Sequence, residues 1–295
     1  MRDIVDQLIV WHGGRIAGGL AVDRQGTMYF EYAPAWLAAP DTQPTSFALP
    51  KTIETFGDAV CKAVFGGLPP AERQRAAIAH NFGLSTNNCF RLLAALGGEV
   101  AGALLFLSEG EVPRTALVGN TPCGLAASAL AELIETMPLA PMLVGEGGAR
   151  VSLAGAQDKL PVLLDPSGRI ALPREGEAST HLIKREPDHL PGLAANEAFC
   201  LALARASGLD ALVGEWRQAD RPYLLVTRYD RAIGKAGSVE RLHQEDFAQA
   251  LAMTPDPKKG RLGRPHVELR PDWFARRQPT LIQNCSASSM ARSSI

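Results

Sequence analysis

What the chain has little of narrows the field first. Cysteine is sparse and odd in number: Cys61, Cys89, Cys123, Cys200 and Cys285 lie far apart and form no C-x-x-C pair. That spacing argues against a disulfide framework and against a zinc site, and it fits a reducing compartment. The six histidines are scattered as widely. Neither sign of charge is in excess, since 30 basic against 31 acidic residues leave a net charge of −1. No overall field therefore draws the chain to nucleic acid or to a membrane, and direct DNA binding is disfavoured. No apolar run approaches the roughly 18 residues that a membrane span needs. Arg2, Asp3 and Asp6 interrupt the first ten positions, where a signal peptide would be apolar. No glycine-rich run ends in Gly-Lys-Ser/Thr, which disfavours a Walker-type phosphate loop. A cytoplasmic protein without membrane contact is expected.

What is present suffices for more than one domain: 295 residues, 46% of them hydrophobic. Residues 4–32 alternate apolar and polar, with turn signals at Gly13-Gly14 and Arg24-Gln25-Gly26, and read as an antiparallel meander of three strands. Residues 33–51, with Pro34, Pro40, Pro44 and Pro50, read as a connection. From 56 to 107 the pattern is helical, with helices over 58–65, 71–82 behind Pro69-Pro70, and 88–96 closed by Gly97-Gly98. A further helix is expected over 126–135, and a glycine-rich joint at 145–148.

Strands are expected over 160–164 and 168–172, around the turn Asp165-Pro166-Ser167-Gly168, and again over 181–184 and 222–229. A helix from about 193 to 207, ended by Gly208, sets Leu193, Glu197, Cys200 and Ala204 on one stripe. Residues 244–252 start another, with Glu245 and Asp246 near its positive end. After Lys259 the character changes: six arginines, five serines among the last ten residues and no sustained period. The reading is an α+β protein with a small N-terminal subdomain at 1–108 and a connecting helix and linker at 109–150. A second unit follows at 151–259, and an aberrant, disordered tail at 260–295.

The chemistry gathers in that second unit. Residues 151–159 read Val-Ser-Leu-Ala-Gly-Ala-Gln-Asp-Lys, a small-residue segment ending in lysine. Small residues let backbone N–H groups approach phosphates, and the lysine supplies charge. Taken alone the segment could equally be an ordinary hairpin. It is followed by a strand lysine, Lys184, by Glu197 on the next helix, and by a strand leading into a linker at 227–231. This is the order of parts in a protein-kinase N-lobe, where a loop covers ATP phosphates, a strand lysine pairs with them and a helix glutamate holds the lysine. The plainer alternative is a surface lysine and a first-turn glutamate favoured by the helix dipole.

The motifs resemble those of the HipA-type serine/threonine kinases, toxins of bacterial two-gene toxin–antitoxin modules. Ser152-Leu153-Ala154-Gly155-Ala156-Gln157-Asp158-Lys159 is similar to the family's Ser-x-x-Gly-Ala-Gln-Glu/Asp-Lys loop, and Thr180-His181-Leu182-Ile183-Lys184 to its Thr-His-Ile-x-Lys strand. Asn196-Glu197 resembles the Asn-Glu opening its next helix, Val226-Thr227-Arg228-Tyr229-Asp230-Arg231 its Val-x-Arg-Phe/Tyr-Asp-Arg segment, and Gln244-Glu245-Asp246 its Gln-Glu-Asp motif. The first hundred residues resemble its N-terminal subdomain, notably at 41–50, Phe82-Gly83-Leu84 and Leu93-Ala94-Ala95-Leu96-Gly97-Gly98-Glu99.

The resemblance implies a kinase-like N-lobe with the start of a C-lobe, and ATP with Mg²⁺ as cofactors. It implies nucleotide contacts from Ala154, Gly155, Ala156, Gln157, Asp158, Lys159 and Lys184, with Glu197 supporting and Thr227, Arg228 and Tyr229 as the hinge facing adenine. It also implies autophosphorylation at Ser152, a helix-turn-helix antitoxin of the HipB kind through which DNA is reached, and a protein substrate such as an aminoacyl-tRNA synthetase. A phosphate on Ser152 would repel the ATP phosphates and switch the site off.

One part of the family pattern is not found. Its Asp-x-x-x-Lys-Asn loop and later Tyr-Asp segment supply the catalytic and magnesium-binding carboxylates, but after Lys259 the only aspartate is Asp272 and the only asparagine Asn284. No catalytic residue and no metal ligand is assigned, and the all-helical C-lobe is expected to be largely missing, as truncation or a frameshift near codon 259 would leave it. The expectation is a HipA-type kinase polypeptide inactive by itself. The alternative is a non-catalytic protein that binds ATP or the antitoxin.

Overall fold

The alternating residues of 4–32 form three strands, β1 (Ile4–His12), β2 (Arg15–Asp23) and β3 (Met28–Tyr32). Gly13 and Gly14 turn the first hairpin with φ of 58° and 80°, a region that residues with a Cβ rarely adopt. The computed structural model describes residues 3–69, 72–98, 100–113, 123–138, 157–174, 177–233, 238–253, 255–256 and 261–262. The proline-bearing connection contains a short helix, α1 (Pro34–Ala38), started by Pro34, whose missing N–H costs nothing in a first turn. Then come α2 (Asp58–Phe65), α3 (Glu72–Asn81) and α4 (Cys89–Leu96), the last capped by the Asn88 side chain, which accepts from the Arg91 N–H.

The helical pattern expected up to residue 107 stops earlier. β4 (Leu104–Leu107) pairs antiparallel with β1 and completes a sheet of order β3-β2-β1-β4. All four of its side chains are buried, so the run Leu-Leu-Phe-Leu carries no alternation that would mark it as a strand. Leu20, Phe30, Phe65, Phe90 and Phe106 anchor the core between this sheet and its helices.

A second unit is built on a five-stranded antiparallel sheet of order β6-β5-β7-β9-β8. Its elements are β5 (Lys159–Leu164), β6 (Ile170–Ala171), β7 (His181–Arg185), β8 (Gly214–Gln218) and β9 (Pro222–Thr227), preceded by helix α5 (Ala127–Thr136) and interrupted by α6 (Leu193–Ala206). Successive strand residues point to opposite faces, and both faces are covered. Ile134 of α5 packs with Leu160, Val162, Ile183 and Leu225, while Ala194 of α6, with Ala198 and Leu201, packs on Leu224 and Val226.

That packing corrects the stripe expected on α6. The helix meets the sheet through Ala194, Ala198 and Leu201, and Cys200 is exposed. Small side chains bring the helix close to β9 and turn it by about one position from the stripe drawn through Leu193 and Cys200. Glu197 stays partly buried at the edge of the contact.

Beyond β9 a hairpin of β10 (Arg231–Ile233) and β11 (Val239–Arg241) precedes α7 (Phe247–Ala250), a single turn where a longer helix was expected over 244–252. β12 (Pro255–Asp256) pairs with β13 (Arg261–Leu262). Among the described residues no helix is long and apolar enough to cross a membrane. The Gln-Glu-Asp motif fastens this part to the first sheet's domain. Glu245 accepts from the Ser46 hydroxyl at 2.7 Å and the Phe47 N–H at 2.9 Å, and Gln249 donates to the Val64 carbonyl at 2.7 Å. Asp246 caps α7 in a reciprocal capping box with Gln249.

Candidate functional site

The register of the second sheet sets two lysines face to face. In the antiparallel β5–β7 pair Lys159 lies opposite Lys184, and residues directly opposite share a face of the sheet. Lys184 is also opposite Leu224 of β9, whose side chain meets α6, so the lysines lie on the α6 side. From α6, Glu197 reaches down and its Oε1 accepts from Lys184 Nζ at 2.5 Å. With side chains 20% and 29% exposed, the pair is partly open to solvent and contributes on the order of 1 kcal/mol to folding, so positional control of the lysine is its larger effect.

Burial lowers the pKa of Lys159, and the neighbouring Lys184 lowers it further, partly offset by Glu197. A cationic group held beside a like charge is a place where a bound anion is favoured. The arrangement fits the phosphates of a nucleotide: two ammonium groups on adjacent strands, one steered by a carboxylate, at the end of a small-residue segment.

The start of β5 is held both by β7 and from outside the sheet. Gln157 donates its side-chain amide to the Arg185 carbonyl at 3.2 Å, and the Arg185 N–H donates to the Asp158 carbonyl at 3.3 Å. Buried Gln74 of α3 donates Nε2 to the Gln157 carbonyl at 2.8 Å and to Asp158 Oδ1 at 3.1 Å. The Asp158 carboxylate is thus directed at the first domain. Ser152, Ala154, Gly155 and Ala156 lie outside the described residues.

At the far end of β9 the expected hinge residues divide. Thr227 ends the strand, its N–H donating to the Val213 carbonyl, and Tyr229 is 63% exposed. Arg228 is buried, with its backbone N–H on the Thr180 carbonyl at 2.9 Å. Its guanidinium donates to Asp230 at 2.9 and 2.6 Å, to Ser179 Oγ at 2.9 Å and to the Val100 carbonyl at 3.4 Å. Asp230 also accepts from the Gly102 N–H and from Arg231, both at 2.8 Å. Gly102 has φ of +82°, and a Cβ there would come within 3.0 Å of the Gln244 backbone. Arg228, Asp230 and Arg231 therefore tie the linker to the first domain, so contact with an adenine from this segment would come through backbone groups or Tyr229.

Gln74 and Ser179 carry none of the sequence argument, because these partners lie 49 to 84 positions away and leave no local pattern. A cavity of about 980 Å³ between α5 and the β8–β9 turn is lined by residues such as Glu132, Glu135 and Arg221, and by none of the lysine cluster.

Comparison with known proteins bears on the family and the fold. Residues 8–107 match the HipA N-terminal domain and residues 151–266 the HipA-like C-terminal domain. "Putative kinase Y4mE" of Sinorhizobium fredii is 45% identical over 262 residues, covering 88% of this chain and 62% of that protein. The serine/threonine-protein kinase toxin HipA of Shewanella oneidensis is 30% identical over 74% of this chain and 50% of its own length. The chain thus spans between half and two thirds of these relatives. Among solved structures, a complex of Shewanella oneidensis HipA, HipB and operator DNA contains a chain that superposes with a TM-score of 0.66 at 27% identity, covering 83% of this chain and 56% of that one. With both HipA domains matched in order, and with the mixed α and antiparallel β architecture of its structural neighbour, the chain belongs to the HipA-like family.

Proposed function

We propose that this chain is the nucleotide-binding part of a HipA-type serine/threonine protein kinase toxin, taking ATP between the small-residue segment and the α6 side of the sheet. The carrying observation is the lysine pair, Lys159 opposite Lys184, with Glu197 holding Lys184 at 2.5 Å. In this reading Lys184 and Lys159 bind phosphate oxygens, and Ala154, Gly155, Ala156 and Gln157 approach them through backbone N–H groups. Asp158 anchors the segment, Thr227 and Tyr229 flank the adenine, and Ser152 is the self-modified residue. Mg²⁺ would be held through the nucleotide phosphates, and no protein ligand is assigned to it.

The structural neighbour is a complex with HipB and operator DNA, which supports a helix-turn-helix antitoxin as partner and DNA contact through that partner. A protein hydroxyl, such as one on an aminoacyl-tRNA synthetase, is the proposed acceptor. Residues 260–295 contain neither Asp-x-x-x-Lys-Asn nor a Tyr-Asp pair. These 295 residues are therefore assigned ATP binding, with transfer expected only where the family's catalytic carboxylates are supplied.

Incubation with γ-labelled Mg-ATP and a bacterial extract tests this assignment. Nucleotide retention without incorporated label is the expected result. Label incorporation that Lys184→Ala abolishes would show the chain to be catalytic as it stands, and absence of both retention and label would overturn the nucleotide reading.

A further inference from the structure

The first domain reaches the candidate nucleotide site at one point that no family motif marks. Gln74 lies on α3, is 2% exposed, and gives both amide hydrogens to the residues just before Lys159: the Gln157 carbonyl at 2.8 Å and Asp158 Oδ1 at 3.1 Å. Both partners are acceptors, so the amide orientation is fixed by the network. The other end of the amide is then also determined: Gln74 Oε1 is buried and finds no donor among the described residues. A buried acceptor left in this state is unfavourable, and a side chain kept only to fill the core would be better served by leucine or methionine.

The consequence lies in what Gln157 and Asp158 do next. Gln157 bonds the Arg185 carbonyl, Asp158 takes the Arg185 N–H, and the following residue is Lys159, facing Lys184. A shift of the Asp158 backbone would move Lys159 relative to Lys184 and Glu197.

We propose that Gln74 is a positioning residue of the nucleotide site, through which the N-terminal domain sets the start of β5 and so the spacing of the two phosphate-binding lysines. This rests on the nucleotide reading above. Gln74 acts through Gln157 and Asp158 and touches no nucleotide itself. Its removal should weaken recognition of phosphates and leave recognition of the base unchanged, because Thr227 and Tyr229 are held by a separate set of bonds around Arg228 and Asp230.

The test compares ATP and adenosine binding to the full chain and its Gln74→Leu variant. The variant should bind ATP about five- to tenfold more weakly, as expected for loss of a buried hydrogen-bonded clamp, with adenosine affinity unchanged. Equal losses for both ligands would mean a general structural role, and no loss for either would mean no role; both overturn the proposal while leaving the nucleotide reading intact. If the unmodified chain does not bind ATP, the reading fails and the proposal with it. Should Gln74→Leu not fold, hydrogen exchange in the unmodified chain decides. Amides of residues 72–81 should be protected further by ATP and not by adenosine, and equal protection with and without ATP would overturn the coupling.

Discussion

Removing Asp230 should be among the most damaging single substitutions in this chain. Its carboxylate lies between two guanidiniums, within 2.6 Å of Arg228 and 2.8 Å of Arg231, and takes the Gly102 N–H at 2.8 Å. The three side chains are 2–5% exposed. Asp230→Ala removes the carboxylate that lies between two buried guanidiniums, and breaking a buried pair from one side costs about 3–5 kcal/mol. At a few degrees per kcal/mol for a chain of this size, the melting temperature should fall by roughly 10 °C. Arg228→Met should cost less, because Asp230 keeps Arg231 and the Gly102 N–H.

Acid acts in the same direction. Burial would raise the Asp230 pKa, but Arg228 by hydrogen bond and charge, then Arg231 and the Gly102 N–H, hold it below the ordinary carboxylate value. Its contribution is therefore fully present above about pH 4, the unfolded value, and is lost as pH falls through the lower folded value. Urea unfolding of both variants at pH 7 and at pH 3 measures this. A cost below about 1 kcal/mol for Asp230→Ala, or a larger cost for Arg228→Met, would refute the argument.

Two smaller effects follow from the same interface. Asp246→Ala removes the capping box of α7 and should cost about 1 kcal/mol in urea unfolding, with Asp246→Asn recovering most of it. His12 is pushed down to about 3, first by burial and then by His243, whose ring centroid lies 4.5 Å away. Because its folded value is depressed, the stability it confers is complete above about pH 6.5 and drains away as pH falls toward 3, and His12→Phe should flatten that part of the stability–pH curve.

Much of the second unit was legible because its signals are local. Lys184 on a strand and Glu197 in the first turns of the next helix are 13 positions apart, and the strand-then-helix order is enough to bring them together. The turn glycines and the alternation of 4–32 mark the three strands of the meander. What escaped depends on pairing at a distance. The register that sets Lys159 against Lys184 arises from a strand pairing across 25 positions, and polar β8 has no pattern of its own until β9 lies beside it. Arg228 and Asp230 read as linker residues, because the groups they bind, Val100 and Gly102, belong to another domain. Gln244-Glu245-Asp246 stood out as a motif, and its work in this structure is to cap a helix and clasp the first domain.

The central claim is that Lys184, set by Glu197 and opposed by Lys159, binds the phosphates of a nucleotide. Calorimetric titration of the chain with Mg-ATP, beside Lys184→Ala, tests it most directly. The account predicts saturable binding at one site, weakened at least about tenfold in the variant, as loss of a charge-assisted contact implies, with the unfolding midpoint little changed. Equal affinity in the two proteins, or no binding in the unmodified chain, would contradict it.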